Sequence, residues 1–582
     1  MGPDVDRKTR KRRDKRKNSS GMPSQIVCTA QEAMQVKGSV ELGIVLSLVV
    51  VCLYFYGFVE SMQSLPDVPT GRLLGHNLNI ARLRSDNMAI AEQQVEEQEG
   101  VPQGDVGAGD IQVPDGHWPV TTRDEEDDFE LIIHPGDHKT EMMVPRFWSP
   151  PLHNKKQFTR EQALKVGTCV TPDPVTGSQV RGTDCPVDDR TIFIAIASYR
   201  DYQCRYTIES IFNRAKNPHR IRVGVVDQIV DGEDDVCNVP IEPCDQKPDQ
   251  ALCKFNDQVD LFKMEARLSI GPVFARHLGH RQYRGEYYAT QSDAHVTFTN
   301  NWDADIIEQM EQSHNEMAVL TTYLTDVQGS ISAAGDSLRK TRPIMCNTDY
   351  EGGPQGMHLR HMSQPERIPS VHGTPQLEPW WAAGYSFSRG HFVVNVPYDS
   401  YASAMIFQGE EMSIGIRGFT VGYDYYAPER SVCFHHYATG ANAKKRNKVK
   451  HFWENGDLYV GTGKKAMKRL LGVVHMNPEV DPSEWDHTEE DRYGLGGVRS
   501  PEKFYDLFGI DIIKKKTQGH LCQFVEKGKM HEMFSRRLRS DGMGIDYNGI
   551  DFRWKDPEPS NGLADDDEES SSDDEEASEE EE

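Results

Sequence analysis

The chain has 582 residues, of which 37% are hydrophobic and 27% are charged, so parts of it are too polar to pack into a folded core. The formal net charge of -26 is unevenly distributed, because residues 565–582 carry thirteen acidic groups and no basic one, half of that excess, whereas residues 7–17 carry nine basic groups and one acidic one. Because the middle of the chain is only moderately acidic, the charge gives no evidence for a nucleic-acid partner, and we predict none.

Residues 42–59 form an apolar segment of eighteen residues without a charge, bounded by Glu41 and Glu60. A helix of this length spans roughly 27 Å, close to the hydrocarbon thickness of a bilayer. The basic residues before it predict a cytosolic tail over residues 1–41, with everything after the segment across the membrane. We therefore predict a single-pass type II anchor and a Golgi or ER location. A removable signal peptide and a buried core helix are the alternatives.

Nine cysteines lie beyond the apolar segment. Cys169 and Cys185 bracket one loop, and Cys237, Cys244 and Cys253 cluster in another. Such loop-borne cysteines are typical of disulfides formed in an oxidising lumen. Because the count is odd, at least one thiol is expected to stay free.

Composition divides the rest of the chain. Residues 60–160 are polar with little periodic apolar pattern, which is typical of a stem. A catalytic domain is predicted over residues 161–470 and a C-terminal extension over residues 471–560. The acidic tail over residues 561–582 cannot bury enough apolar surface to fold, so it is predicted to be disordered.

Two short apolar runs, 191–197 and 221–226, predict strands, and the amphipathic stretch 206–215 between them predicts a helix. Together they form a βαβ unit, which requires a parallel sheet with helices packed on it. Ligands of such sheets bind beyond the carboxyl ends of the strands. This rule indicates residues 198–201 and 227–228 as part of a binding site.

The sharpest local motif is the pair Asp293 and His295, just beyond the strand-like residues 287–290. In an extended segment, residues two apart project to the same side, so both side chains can reach one metal ion. A carboxylate with an imidazole suits Mn²⁺ or a similar divalent ion, which would neutralise a diphosphate leaving group. Taken alone, the motif is short enough to arise by chance.

Several blocks around this motif resemble known glycosyltransferases. Blocks of the polypeptide GalNAc-transferases are similar to four segments of this chain, residues 271–276, 300–303, 380–387 and 408–411, and to Arg417. A closer resemblance is to the protein α-GlcNAc-transferases, through residues 195–201, 432–437, 451–453 and 493–499. The similarity extends over about residues 189–511, in the family's order. No lectin-like module follows the catalytic segment, which favours GlcNAc over GalNAc as the transferred sugar.

The resemblance implies an α/β GT-A nucleotide-diphospho-sugar transferase fold, a Rossmann-like mixed sheet flanked by helices. It implies a metal held by Asp293 and His295, with His435 or the adjacent His436 as third ligand. Neighbouring residues of a strand point to opposite sides, so only one of these histidines fits. We favour His435 for its place in the family's block.

The resemblance also implies roles around the donor sugar. Ser198, Tyr199 and Arg200 would line the uridine pocket, with Asp227 near the base and Arg276 on the diphosphate. Glu410 would hydrogen-bond the transferred sugar, with Glu411 nearby, and both are predicted with Asp293 as catalytic residues. Trp380 and Trp381 would form an apolar wall, and we include Trp381 among the donor-binding residues. Lys444, Lys445 and Arg446 would form a mobile basic lid.

These expectations combine into a retaining enzyme, dependent on Mn²⁺ or another divalent cation, that moves GlcNAc from UDP-GlcNAc to a Ser, Thr or hydroxyproline hydroxyl of a protein. Its expected partners are the UDP-sugar and a protein or glycan acceptor. The family resemblance allows a front-face attack without a covalent intermediate, and Glu410 as nucleophile or base is the alternative. A cytoplasmic-type hydroxyproline enzyme and a transferase for another UDP-hexose are enzymatic rivals. An inert sugar-binding scaffold on the same fold is the non-enzymatic one.

Overall fold

A computed structural model describes residues 129–148, 158–353 and 356–554. The predicted anchor at residues 42–59, the cytosolic tail at 1–41 and the acidic tail at 561–582 all lie outside these residues. Across the described part of the chain, each helix is too short or too polar to traverse a lipid bilayer.

The strands are β1 Phe129–Ile133, β2 Glu141–Pro145, β3 Ile192–Tyr199, β4 Ile221–Ile229, β5 Val259–Glu265, β6 Tyr288–Asp293, β7 Val296–Phe298, β8 Ala318–Thr321, β9 Arg342–Pro343, β10 Thr348–Gly353, β11 Gly356–His361, β12 Glu366–Arg367, β13 Gln376–Glu378, β14 Tyr385–Arg389, β15 Asp424–Ala427, β16 Cys433–His435, β17 Ile510–Asp511 and β18 Lys516–Thr517. The α-helices are α1 Arg160–Lys165, α2 Cys204–Asn213, α3 Ala251–Lys254, α4 Pro272–His280, α5 Trp302–Gln312, α6 His391–Asn395, α7 Glu410–Val421, α8 Gly440–Arg446, α9 Thr462–Val473, α10 Glu490–Tyr493, α11 Pro501–Phe508, α12 Leu521–Glu526 and α13 Lys529–Phe534.

An eight-stranded mixed sheet organises the described residues, in the order β13-β15-β8-β14-β6-β3-β4-β5. Strands β6, β3, β4 and β5 run parallel to one another, whereas β14 is antiparallel to both of its neighbours. The architecture is therefore mixed α/β, in agreement with the predicted fold class.

The predicted βαβ unit is present as β3, α2 and β4. Its strands extend two or three residues further than the apolar runs indicate, because polar residues at their ends still pair with the neighbouring strand, as Ser198 does with Asp227. Every residue of β4 is buried, as expected for a strand covered on both faces. Helix α4 packs against β3 and β4.

Within residues 60–160, the predicted stem, β1 and β2 pair as an antiparallel hairpin. The hairpin and the residues that follow it belong to the folded body. Val144 and Trp148 join the main hydrophobic core, and Glu130 forms an ion pair with Arg281 at the end of α4. Alternate residues of β2 are buried, a period-two pattern too short to stand out from the polar sequence around it.

The predicted C-terminal extension is likewise part of the same body. Helix α11 packs against α7, and the guanidinium of Arg499 pairs with the buried carboxylate of Asp424 in β15, Nη2 to Oδ1 at 2.8 Å. A disulfide joins Cys346 to Cys522. Residues 471–554 therefore close the end of the sheet that carries β13 and β15.

Two of the disulfides lie within the loop clusters of the sequence, and the other two have a partner outside those clusters. Disulfides join Cys169 to Cys185, Cys204 to Cys237, Cys244 to Cys253 and Cys346 to Cys522. Cys433 is a buried free thiol.

Candidate active site

Three side chains with metal-ligand chemistry converge at the carboxyl edge of the parallel strands. Asp293 is the last residue of β6 and lies beside Ala197 of β3. His295 follows two residues later, before β7. The antiparallel pairing of β16 with β7 sets His435 opposite Val296. This pairing brings His435 close to Asp293 and His295, although His435 is 142 positions after Asp293 in the chain.

One ligand atom from each of Asp293, His295 and His435 can be chosen so that all three lie within 4.8 Å of one another. His435 Nε2 is 3.5 Å from Asp293 Oδ2, and the rings of His295 and His435 meet edge to face with centroids 4.4 Å apart. His436 points away, with its Nε2 2.7 Å from the hydroxyl of Thr297. Of the two candidate histidines, the structure therefore brings His435 into the cluster.

The protonation states of this cluster suit a cation. Burial alone raises the pKa of Asp293, but the hydrogen bond to His435 and the charge of Arg276 outweigh it and bring the pKa to about 2. Burial and the neighbouring His295 lower the pKa of His435. At neutral pH the cluster thus holds a carboxylate beside a neutral imidazole at position 435, and these are the forms that bind metal ions.

Arg276 of α4 links this cluster to the start of α7. Its Nη2 donates to Asp293 Oδ1 at 3.1 Å, and its Nη1 donates to Glu410 Oε1. Both negative partners raise the pKa of the buried guanidinium despite its desolvation. Gly409 adopts φ +89°, a left-handed conformation, as the N-cap of α7, and this turns Glu410 into the first helical turn.

Glu410 and Glu411 are neighbours but differ in how many of their carboxylate oxygens are hydrogen-bonded. Burial raises the pKa of Glu410 to about 7 in spite of Arg276, and its Oε2 is buried without a hydrogen-bond partner. Glu411 has both oxygens engaged, by the amide of Ala383 at 2.7 Å and the hydroxyl of Tyr323 at 2.8 Å. The structure thus leaves an acceptor atom open on Glu410.

The residues predicted for the uridine pocket lie along the ends of β3 and β4. Ser198 and Asp227 are adjacent and fully buried, and burial raises the pKa of Asp227 to about 6. The Tyr199 hydroxyl donates to the Lys450 carbonyl at 2.8 Å. Arg200, with φ +49°, turns its side chain to Asp234 (Nε to Oδ2, 2.7 Å), so its guanidinium is committed to the acidic loop after β4.

The two tryptophans lie in the core, each only 1% exposed. Trp380 packs edge to face on Phe504, with ring centroids 5.3 Å apart. Trp381 lies against Gly415 of α7. Neither indole presents a ring face at the surface, because Trp380 packs on α11 and Trp381 lies against α7.

The predicted basic lid is the short helix α8. Lys444 and Lys445 are exposed, and the ammonium of Lys445 lies 4.5 Å from the ring centroid of Tyr202. Arg446 turns inward, where its guanidinium donates to Gln203 Oε1 at 3.2 Å. The helix therefore lies over the turn that follows β3, beside the residues predicted to bind the nucleotide.

Sequence reasoning placed Asp201 at the edge of the sheet but gave it no role. Its Oδ2 lies 2.6 Å from His295 Nδ1. Although burial acts to raise it, the pKa of Asp201 is lowered, because His295 and Arg446 stabilise its negative charge. The only sequence signal was position, since Asp201 closely follows a strand whose carboxyl end was expected to bind ligands.

The donor set fits a divalent cation. The contact of His295 with Asp201 uses Nδ1 and leaves Nε2 for a ligand bond, while His435 directs Nε2 to Asp293. One carboxylate and two imidazoles are ligands that Mn²⁺ and similar ions accept. Among the described residues, Asp293, His295 and His435 form the group of potential ligands that lie close enough together to hold one metal ion.

Comparison with known proteins gives a match to one family model and more distant matches to solved structures. A family model described as glycosyltransferase (GlcNAc) matches residues 191–245 and 233–514, more than half of the chain. No curated protein matches the sequence.

Solved structures show more distant similarity. GalNAc-T7 with UDP, GalNAc and Mn²⁺ is 15% identical with a TM-score of 0.33, over 54% of this chain and 56% of that one, so the chain spans little more than half of that relative. TarS 1-349 from S. aureus in complex with UDP is 10% identical with a TM-score of 0.25, over 50% and 76%. The mannosyltransferase PcManGT from Pyrobaculum calidifontis with GDP-Man and Mn²⁺ is 9% identical with a TM-score of 0.25, over 56% and 82%.

Proposed function

Because the chain belongs to the GlcNAc glycosyltransferase family, we propose that it transfers GlcNAc from UDP-GlcNAc to a Ser, Thr or hydroxyproline hydroxyl of a protein acceptor. We further propose that its mixed sheet is of the GT-A type. The observation that carries this proposal is the convergence of Asp293, His295 and His435 at the carboxyl edge of the parallel strands, where α/β sheets bind their ligands.

In this proposal the three side chains hold Mn²⁺ or a similar divalent ion. When bound, such an ion supplies positive charge that neutralises a diphosphate leaving group. Arg276 contributes a second, permanent positive charge beside the same carboxylate, 3.1 Å from Asp293 Oδ1. Fixed charges in a partly buried site cost no reorganisation when negative charge develops on the leaving group.

Glu410 is positioned to contact the transferred sugar. Its Oε1 is held by Arg276, and its Oε2 has no partner among the described residues. A buried acceptor without a donor is costly, and a sugar hydroxyl would satisfy it. Glu411 is hydrogen-bonded on both oxygens, so we assign it to shaping the loop before β14 rather than to direct attack.

Transfer with retention requires no covalent enzyme intermediate. The bond between the sugar C1 and the β-phosphate oxygen breaks, and a bond forms on the same face between C1 and the acceptor oxygen. The acceptor's proton passes to the departing phosphate. In this route Arg276 stabilises the leaving group and Glu410 orients the sugar.

For the uracil end of the donor we propose Ser198, Tyr199 and Asp227. Asp227 Oδ1 is buried without a hydrogen-bond partner, which suits an N–H donor of a base. Because α8 and Lys450 lie across this edge, the nucleotide would enter by displacement of the segment that contains them. The side chain of Arg200 is hydrogen-bonded to Asp234. We therefore propose that Arg200 stabilises the turn after β3 rather than binding the uracil.

We also propose a luminal catalytic domain held in a Golgi or ER membrane by residues 42–59. The four disulfides support an oxidising compartment. Protease treatment of sealed microsomes tests the topology, because a luminal domain is protected until detergent is added. Full digestion without detergent would contradict it and favour the cytoplasmic-type enzyme.

The activity is tested by incubating the portion of the protein after the apolar segment with a panel of UDP-sugars and Mn²⁺. We expect hydrolysis of UDP-GlcNAc above that of UDP-GalNAc and UDP-glucose, and its loss in Asp293→Asn. Undiminished hydrolysis by this variant would remove the metal assignment. Preference for another UDP-sugar would keep the reaction class and change the donor.

A further inference from the structure

Asp201 has two carboxylate oxygens with separate tasks. Oδ1 accepts the backbone N–H of Gln203 at 2.8 Å, which shapes the turn before α2. Oδ2 lies 2.6 Å from Nδ1 of His295. The side chain is only 8% exposed, so water competes weakly for either contact. The local turn thus needs one oxygen, and the other is directed into the metal cluster.

The contact on Oδ2 favours one tautomer of a neutral His295 ring. A neutral imidazole has one N–H and one free lone pair, and a carboxylate beside Nδ1 favours the N–H there. The lone pair is then on Nε2, the atom that remains for a metal ion. Carboxylates in this arrangement fix the ring orientation and raise the basicity of the ligand nitrogen.

The same oxygen also faces α8. Arg446 Nη2 lies 3.7 Å from Asp201 Oδ2, and it donates to the backbone oxygen of His436 at 3.3 Å. Arg446 is the last residue of α8, the predicted lid. One carboxylate therefore touches a proposed metal ligand on one side and the lid on the other.

We infer that Asp201 is a positioning residue that orients His295 for the metal and, through Arg446, couples occupation of the metal site to the closure of α8. This inference rests on the proposed function, since it presumes that His295 binds a divalent ion. A purely structural Asp201 would serve the Gln203 turn alone, and its loss would lower stability without changing metal affinity.

Metal affinity separates these two roles. We would titrate Mn²⁺ into the wild type, Asp201→Asn, Asp201→Ala and His295→Ala by calorimetry, without a sugar donor. The matched control is Asp303→Asn, which removes the charge of a buried carboxylate bound to Arg220 and remote from the cluster. It loses stability with no expected change in the metal site.

We expect Asp201→Ala to weaken Mn²⁺ binding by about 10- to 100-fold, the usual range for such carboxylates. Asp201→Asn should fall between this variant and the wild type, because the amide keeps an acceptor oxygen but loses the charge. Asp303→Asn should change the Kd by less than about twofold at a lower Tm. A Kd for folded Asp201→Ala within about twofold of the wild type would overturn the orienting role.

Coupling to α8 is tested by hydrogen exchange of residues 440–446 with and without Mn²⁺. The wild type should gain protection on metal binding, and Arg446→Gln should lose that gain while its Mn²⁺ affinity stays within about threefold. Equal protection in the two proteins would overturn the coupling. If the wild type and His295→Ala bind Mn²⁺ equally, the proposed metal site itself fails, and this outcome is distinct from either of the others.

Discussion

Two regions of this molecule bury charged side chains, and they treat them differently. In the first, Arg220 and Asp303 are 1% and 0% exposed and joined at 2.6 Å, and the carboxylate also accepts the backbone N–H groups of Lys216 and Asn217. In the second, Asp293 keeps 24% of its side chain exposed beside Arg276 and His435. The first region is closed by its own hydrogen bonds, whereas the second leaves ligand atoms turned toward one another.

The difference separates a structural ion pair from a candidate site. A buried pair contributes little net stability, but breaking it leaves an uncompensated charge. In the open region a carboxylate, two imidazoles and the unpartnered Oε2 of Glu410 occupy one edge of the sheet. Buried polar atoms without partners are destabilising, and a bound ligand would remove this cost.

The largest expected effect concerns the two adjacent histidines. We expect His435→Ala to reduce Mn²⁺-dependent UDP-GlcNAc hydrolysis by at least about 100-fold, because a ligand of the open region is lost. His436→Ala removes only the contact with Thr297 and should stay within about threefold. Steady-state hydrolysis assays measure both, and a reversed order would move the third ligand to His436.

Breaking the closed region should act on stability alone. Asp303→Asn is expected to lower the free energy of unfolding by about 3–5 kcal/mol, since Arg220 loses its countercharge while it remains buried. Denaturant unfolding measures the loss, and hydrolysis per folded molecule should be unchanged. A reduced rate in fully folded protein would show that the two regions are coupled.

Opening the long-range disulfide should also lower the free energy of unfolding, by a somewhat smaller amount than Asp303→Asn. Cys522→Ser opens the bridge that joins the C-terminal part to Cys346, and we expect a loss of about 2–5 kcal/mol. The matched control is Cys253→Ser, which opens a loop of nine residues and should cost less. Unfolding under non-reducing conditions compares the two, and equal losses would argue against a structural role for the C-terminal closure.

The pH dependence of stability reports on the open region. With its folded-state pKa raised to about 7 from 4.5, Glu410 binds a proton more tightly in the folded than in the unfolded state. Its unfavourable contribution is therefore absent below pH 4.5, grows as the pH rises and is complete above about 7. Relative to the wild type, Glu410→Gln should gain at most about 3 kcal/mol between pH 4 and 8. A constant difference would contradict the raised pKa.

The smallest effect should come from the tryptophan in the core. Because Trp381 is buried and lies against α7, Trp381→Phe should cost about 1–3 kcal/mol through the space it leaves. We expect the KM for UDP-GlcNAc to change by less than about threefold. A tenfold rise in KM would restore the predicted role of this side chain in donor binding.

The parts of the site carried by local pattern could be predicted from the sequence. Asp293 and His295 share one side of an extended segment, and the apolar run before Ser198 indicated a strand and its carboxyl end. The family resemblance supplied Glu410, Arg276 and the choice of His435, for which spacing along the chain has no signal.

The remaining features depend on contacts between distant segments. The pairing of β16 with β7 brings His435 to Asp293, and the 2.6 Å contact of Asp201 with His295 joins residues 94 positions apart. Two adjacent tryptophans give the same sequence pattern in a cleft and in a core. Their location follows only from the packing of α7 and α11 against them. The hairpin of β1 and β2 lies within the predicted stem, where its strands of five residues each give little pattern and pack on a surface that comes from later in the chain.

The bridge between Cys346 and Cys522 has a consequence for biosynthesis. The other three disulfides in the described residues close over 16, 33 and 9 positions, whereas this one waits for a partner 176 positions later. At ribosomal rates of about 5–20 residues per second, the earlier thiol stays unpaired for roughly 10–35 s. During that interval Cys433 emerges and is a competing partner for Cys346, so we expect a disulfide isomerase to raise the yield of correctly paired protein.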